Sequence, residues 1–97
     1  MNQIRIQPAP AADADEAATW YETQLDGLGI EFLLELDVAI DRATDAPMNY
    51  EDLYLGVRRV LMERFPYSVY FTYEGEMVEI IAVLHQHQSP DTWQSRI

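Results

Sequence analysis

The chain has 97 residues, 48% of them hydrophobic and 24% charged, which are the proportions of one folded domain and not of a disordered segment or two domains. It has no cysteine, so disulfides and thiolate metal sites are excluded. No apolar run approaches the ~20 residues a membrane span requires. The formal net charge is −11, a field that repels nucleic acid at long range and leads us to expect weak or no binding to free RNA or DNA.

The charge is unevenly spread. Residues 1–56 hold two arginines against twelve acids, whereas residues 57–97 hold four arginines against five acids. All six cations are arginine. No apolar secretion segment follows Met1-Asn2-Gln3-Ile4-Arg5, and a cytoplasmic protein is the expectation.

Gln3 to Gln7 alternates polar and apolar residues and stops at Pro8 and Pro10, the pattern of a short first strand. Ala11 to Gln24 reads as a helix with Asp13, Asp15 and Glu16 near its start, where the helix dipole favours anions. Ala14, Ala17, Ala18, Tyr21 and Leu25 fall on one face, and Trp20 and Tyr21 read as core or core-edge residues. Gly27 and Gly29 bracket a tight turn. A second helix over about residues 28–43 shows the apolar stripe Ile30, Leu33, Leu36, Ile40 and Ala43. Two helices joined so closely form an antiparallel hairpin. Leu34 and Val38 lie off that stripe, one turn apart among acids; they either pack on the first helix or form a small apolar strip, the candidate contact for a partner helix.

Residues 46–55 read as a loop containing Pro47. Three strands follow, over about residues 57–64, 67–73 and 77–86, with Pro66 breaking the first pair and Glu74-Gly75 turning the second. A two-residue turn at Glu74-Gly75 sets Tyr73 opposite Glu76, Phe71 opposite Val78, Val69 opposite Ile80 and Tyr67 opposite Ala82. That register puts Val69, Phe71, Val78, Ile80, Ala82 and Leu84 against the helices. Ser68, Tyr70, Thr72, Met77, Glu79, Ile81, Val83, His85 and His87 then lie on the open face. Trp93, beyond Pro90, is expected to fold back on the body. The fold class is α+β: a helical hairpin packed on a mainly antiparallel four-stranded sheet, in a single domain over residues 1–97.

The segments Asp13-Ala14-Asp15-Glu16-Ala17-Ala18-Thr19-Trp20-Tyr21-Glu22, Gly27-Leu28-Gly29-Ile30-Glu31-Phe32-Leu33, Gly56-Val57-Arg58-Arg59, Arg64-Phe65-Pro66-Tyr67 and Ile81-Ala82-Val83-Leu84-His85 stand in an informative order. In their joint order and spacing the chain resembles the RelE/ParE superfamily of bacterial toxins, in its ParE-like branch. The resemblance covers about residues 4–93. It implies the toxin of a type II toxin–antitoxin pair, of the kind associated with plasmid stabilisation. Such a toxin is held inactive by a small cognate antitoxin and acts by binding, with DNA gyrase the target associated with ParE-like members.

Two alternatives stand beside it: a RelE-type ribosome-dependent mRNA endoribonuclease, and a decayed, non-toxic homologue kept as a binding protein. Relatives usually follow the histidine with glycine and two arginines, then an acid and proline. Here the run is His85-Gln86-His87-Gln88-Ser89-Pro90, without those two cations.

Arg58, Arg59 and Arg64 are the candidate target-binding residues, because they place half of all the cations within seven positions. Arg58 and Arg59 fall on opposite faces, and Arg64 has Glu63 or Glu79 as an expected partner. A nuclease needs a base, an acid and cations for the developing phosphorane charge, for which His85, His87 and Tyr70 are the candidate catalytic groups. His85 and His87 lack a third metal ligand, since Glu79 stands about 20 Å from His85 at ~3.3 Å per residue. No metal and no cofactor are expected.

Overall fold

The computed structural model describes residues 2–88 and 90–97; Met1, and Ser89 of the run quoted above, lie outside the described residues. Strand β1 (Gln3–Ile6) leads into helix α1 (Pro8–Gln24), which is followed by helix α2 (Leu28–Asp45). After a 3-10 turn at Pro47–Asn49 come β2 (Asp52–Tyr54), β3 (Val57–Leu61), β4 (Tyr67–Glu74), β5 (Met77–His85) and the short α3 (Asp91–Gln94). The sheet has five strands in the order β1-β5-β4-β3-β2, antiparallel except for the parallel β1–β5 pair. The α+β class and the helical hairpin agree with the expectation.

The expected loop over residues 46–55 instead holds the 3-10 turn and β2, so four strands become five. Helix α1 begins three residues earlier than the prolines suggested. Pro8 and Pro10 sit in its first turn, where a missing N–H costs no internal hydrogen bond.

The hairpin is closed by one carboxylate. Glu22 accepts hydrogen bonds from the backbone N–H of Gly27 (2.9 Å) and Gly29 (3.0 Å), satisfying two free donors at the start of α2 where the dipole favours an anion. Gly29 is also the point of closest approach. A Cβ there would lie 2.6 Å from the Ala18 carbonyl oxygen of α1.

Helix α2 is apolar around most of its circumference, and its orientation follows Phe32. That ring packs against Tyr21, Phe65 and Tyr67 at centroid distances of 5.4, 5.2 and 5.1 Å. Phe32, Leu36, Ala39, Ile40 and Ala43 are therefore buried, together with Ala14, Ala17 and Ala18 of α1. The expected stripe is right at Leu36, Ile40 and Ala43. Ile30 (65% exposed) and Leu33 face out instead, and Leu25, at the end of α1, is also exposed.

The β4–β5 turn is Gly75-Glu76, one residue later than the sequence suggested, with both residues at positive φ. Phe71 consequently pairs with Ile80 and Tyr73 with Val78. A bulge then intervenes: Tyr70 pairs with Ala82, leaving Ile81 as the extra residue. The bulge reverses the faces of the end of β5. Val69, Phe71, Val78 and Ile80 pack under the helices with Val83, which was expected on the open face, whereas Ala82 and Leu84, expected under the helices, join Val57, Tyr70, Ile81 and Trp93 in a second core on the other face.

That second face is covered. Trp93 stacks on Tyr70 at 5.0 Å and 18°, so the C-terminal segment folds back as expected. Parallel pairing of β1 ends with Gln7 N–H to the Ile80 carbonyl, and beyond it Asp13 and Arg96 close the edge of β5. The Asp13 carboxylate accepts from the Val83 N–H (3.0 Å) and from both Arg96 terminal nitrogens (2.6 and 3.1 Å), while Arg96 also donates to the Ile81 carbonyl (3.0 Å).

Gly29→Ala should destabilise the protein by about 2 kcal/mol, because backbone and not a flexible side chain must yield; urea unfolding checks the value. Leu55 should respond in the opposite sense. It is 76% exposed and held at φ 47° in the two-residue β2–β3 turn, a conformation that disfavours leucine. Leu55→Asn should raise stability by about 0.5–1 kcal/mol, a Tm increase of several degrees in a chain this size.

Candidate functional site

The arginines do not converge. Arg58 pairs across the ladder with Phe71 and Arg59 with Tyr70, so the two side chains take opposite faces, as expected from their adjacency. Arg58 is half-buried and donates to the Tyr50 carbonyl, a contact that ties the 3-10 turn to the sheet. Arg64 lies beyond the end of β3 and pairs with Glu31 (3.5 Å) and Glu35 (3.6 Å) of α2, not with Glu63 or Glu79. Those two acids pair with Arg42 and Arg5. Arg59 is exposed and has no ion pair among the described residues, which leaves its cation available. It stands beside Glu51, Leu53 and Leu61 in a shallow hollow near the β2 edge.

The histidines and Tyr70 separate as well. Tyr70 is 5% exposed beneath Trp93. The bulge puts His85 on the helix side, opposite Tyr67, with the two rings 5.3 Å apart. His85 and Tyr70 therefore do not share a face, contrary to the expected register. The His87 ring lies 5.2 Å from that of His85, and the His87 N–H donates to His85 Nδ1 (3.1 Å). The two histidines thus organise the turn after β5. Among the described residues no group of three or more His, Asp or Glu side chains is placed to hold a metal ion.

Leu34 (60% exposed) and Val38 stand out from α2 as the sequence suggested, and Ile30 and Leu33 extend the strip toward the start of the helix. Four exposed aliphatic side chains at helical spacing make an apolar ridge among the acids of the exposed face.

One concavity was not singled out by the sequence. A cleft of about 600 Å³ runs between α1 and the end of β5, lined by Glu16, Trp20, Tyr21, Tyr67, His85 and neighbouring residues. Trp20 is 56% exposed at its rim, packed edge-on against Tyr21 at 5.0 Å. Burial pushes the Tyr21 and Tyr67 phenols above the ordinary tyrosine range, and for Tyr67 the adjacent Tyr21 and Glu16 charges add to the shift. Both phenols stay neutral at physiological pH. Asp13, Glu16, Ala17 and Trp20 recur at i, i+3, i+4 and i+7, a spacing that marks one helix face and is the only trace of the cleft in the sequence.

No known family profile matches the chain, and no curated protein sequence matches it. Among solved structures it is similar to a chain of the chromosomal ParDE TA (toxin–antitoxin) system from P. aeruginosa, with a TM-score of 0.65 and 22% identity over 88% of this chain and 96% of that one. The two share a fold. Among the described residues no helix is long and apolar enough to cross a membrane.

The Asp13–Arg96 contact should behave as a coupled pair. Its hydrogen bond to Asp13 holds the Arg96 pKa above the ordinary guanidinium range, against the opposing effect of burial. Asp13→Ala should cost about 2–4 kcal/mol, because a partly buried cation and the Val83 N–H both lose their partner. In a double-mutant cycle Asp13→Ala and Arg96→Ala should show a coupling of about 1–3 kcal/mol, measured by denaturant unfolding.

Proposed function

We propose that this chain is the toxin-type member of a type II toxin–antitoxin pair and that it acts by binding, without a catalytic step. The observation that carries the reading is the shared fold with a chain of a ParDE system over nearly the whole of both chains. The ParE-like branch is favoured by the site. The candidate proton-transfer groups stand on different faces, with Tyr70 sealed under Trp93, whereas an available cation and an apolar ridge are both displayed. General acid–base catalysis needs its groups within hydrogen-bond reach of one reacting centre, a condition that His85 and Tyr70 do not meet together.

In this reading a small antitoxin lays an amphipathic segment along Ile30, Leu33, Leu34 and Val38, and Arg59 contacts the target, with DNA gyrase the first to test. Free nucleic acid is bound weakly or not at all, given a net charge of −11. The protein works in the cytoplasm.

Induced expression with growth as the readout tests the proposal. Expression alone should arrest growth, and co-expression with a cognate antitoxin should restore it. Leu34→Asp with Val38→Asp should weaken the purified complex at least tenfold, since two apolar contacts are replaced by buried charge. Arg59→Ala should reduce inhibition without loss of Tm, while His85→Ala with His87→Ala should leave it largely intact. Ribosome-dependent mRNA cleavage abolished by the histidine changes would replace this reading with the endoribonuclease one.

A further inference from the structure

The cleft between α1 and β5 combines aromatic faces with an uncommitted carboxylate. Trp20, Tyr21, Tyr67 and His85 form a succession of rings at centroid spacings of 5.0, 6.0 and 5.3 Å. Glu16 lines the same cleft and has no hydrogen bond or ion pair among the described residues. No arginine lines it. Asp13, at one end of the lining, is already paired with Arg96 through two nitrogens, which leaves Glu16 as the carboxylate open to a ligand.

We propose that this cleft receives an arginine side chain of the partner polypeptide, its guanidinium stacked on the Trp20 and Tyr67 rings and paired with Glu16. The proposal rests on the reading of the chain as one that works by docking a partner. Four observations converge on this occupant. A planar, weakly hydrated cation gains from aromatic faces and from a two-pronged contact with a carboxylate, and guanidinium offers both where ammonium offers only the charge. The volume of about 600 Å³ accommodates a long side chain and the backbone that carries it. Glu16 opposes an anion, so a phosphate-bearing ligand that stacked a base on the same rings would meet an unpaired negative charge. The net charge of −11 favours the approach of a basic segment.

The test uses the full chain and the blocked peptide acetyl-Gly-Arg-Gly-amide, followed through the tryptophan indole N–H signals in two-dimensional NMR. Trp20→Phe assigns the Trp20 signal without disturbing Trp93, which is part of the second core. The Trp20 signal should shift saturably while that of Trp93 does not. The lysine peptide should bind at least threefold more weakly, and the citrulline peptide, isosteric but neutral, should give no saturable shift. Glu16→Gln should weaken the arginine peptide at least threefold. Asp41→Asn, which removes the same charge from exposed α2, should leave it unchanged.

An unshifted Trp20 signal, equal responses to lysine and arginine, or equal effects of the two charge removals would overturn the proposal in favour of general attraction to an acidic surface. Growth arrest retained with no peptide response removes the cleft and leaves the toxin reading standing. A specific peptide response without growth arrest does the reverse.

Discussion

The carboxylate of Asp13 joins three parts of the molecule at one point. It sits in the second turn of α1, accepts the N–H of Val83 where β1 no longer covers β5, and clamps the guanidinium of Arg96 near the C-terminus. Each contact depends on the others. The charge is tolerable inside the structure because it is paired and hydrogen-bonded, and Arg96 is ordered because the carboxylate and the Ile81 carbonyl both receive it. Without them β5 would present a bare edge, a template for pairing with other chains. The return of Arg96 also holds α3 over the sheet, so that Trp93 completes a second core instead of trailing in solvent.

The helical hairpin was legible because its signals are local. Gly27 and Gly29 interrupt two periodic segments, and the alanines of α1 define the face that meets α2. The orientation of α2 was less legible for a related reason. With Ile30, Phe32, Leu33, Leu34, Leu36, Val38, Ala39 and Ile40 all apolar, periodicity alone admits several buried faces, and the aromatic contacts of Phe32 decide among them. The ends of β5 were obscured differently. Ile80-Ile81-Ala82-Val83-Leu84 is an unbroken apolar run, so it carries no alternation in which an extra residue would show. The run is apolar because both faces are covered, one by the helices and the other by Trp93. Strand β2 escaped notice because three residues in an acidic stretch have no strand signal of their own and owe their conformation to β3.

The same displacement explains what was readable of the candidate site. Leu34 and Val38 could be set apart from the expected stripe by helical spacing, with their exposure left to the structure, and the opposed faces of Arg58 and Arg59 followed from their adjacency. The fates of His85 and Tyr70 could not, since they depend on a bulge at Ile81, four residues before the one and across the ladder from the other. The cleft beside α1 was harder still. It is assembled from a helix face, the start of β4 and the end of β5, and a lone tryptophan on a helix is more often packing than recognition.

The placement of β1 has a consequence for how the chain reaches its structure. Its partner in the sheet is the last strand, with Ile6 alongside Ile80, and the Asp13–Arg96 bond spans 83 positions. Contacts so distant in sequence carry a large loop-closure cost and tend to form slowly. During synthesis the α1–α2 hairpin emerges long before any strand able to cover its apolar inner face. Until those strands are made the nascent chain therefore presents both sides of α2, and β1 waits unpaired until β5 has been synthesised.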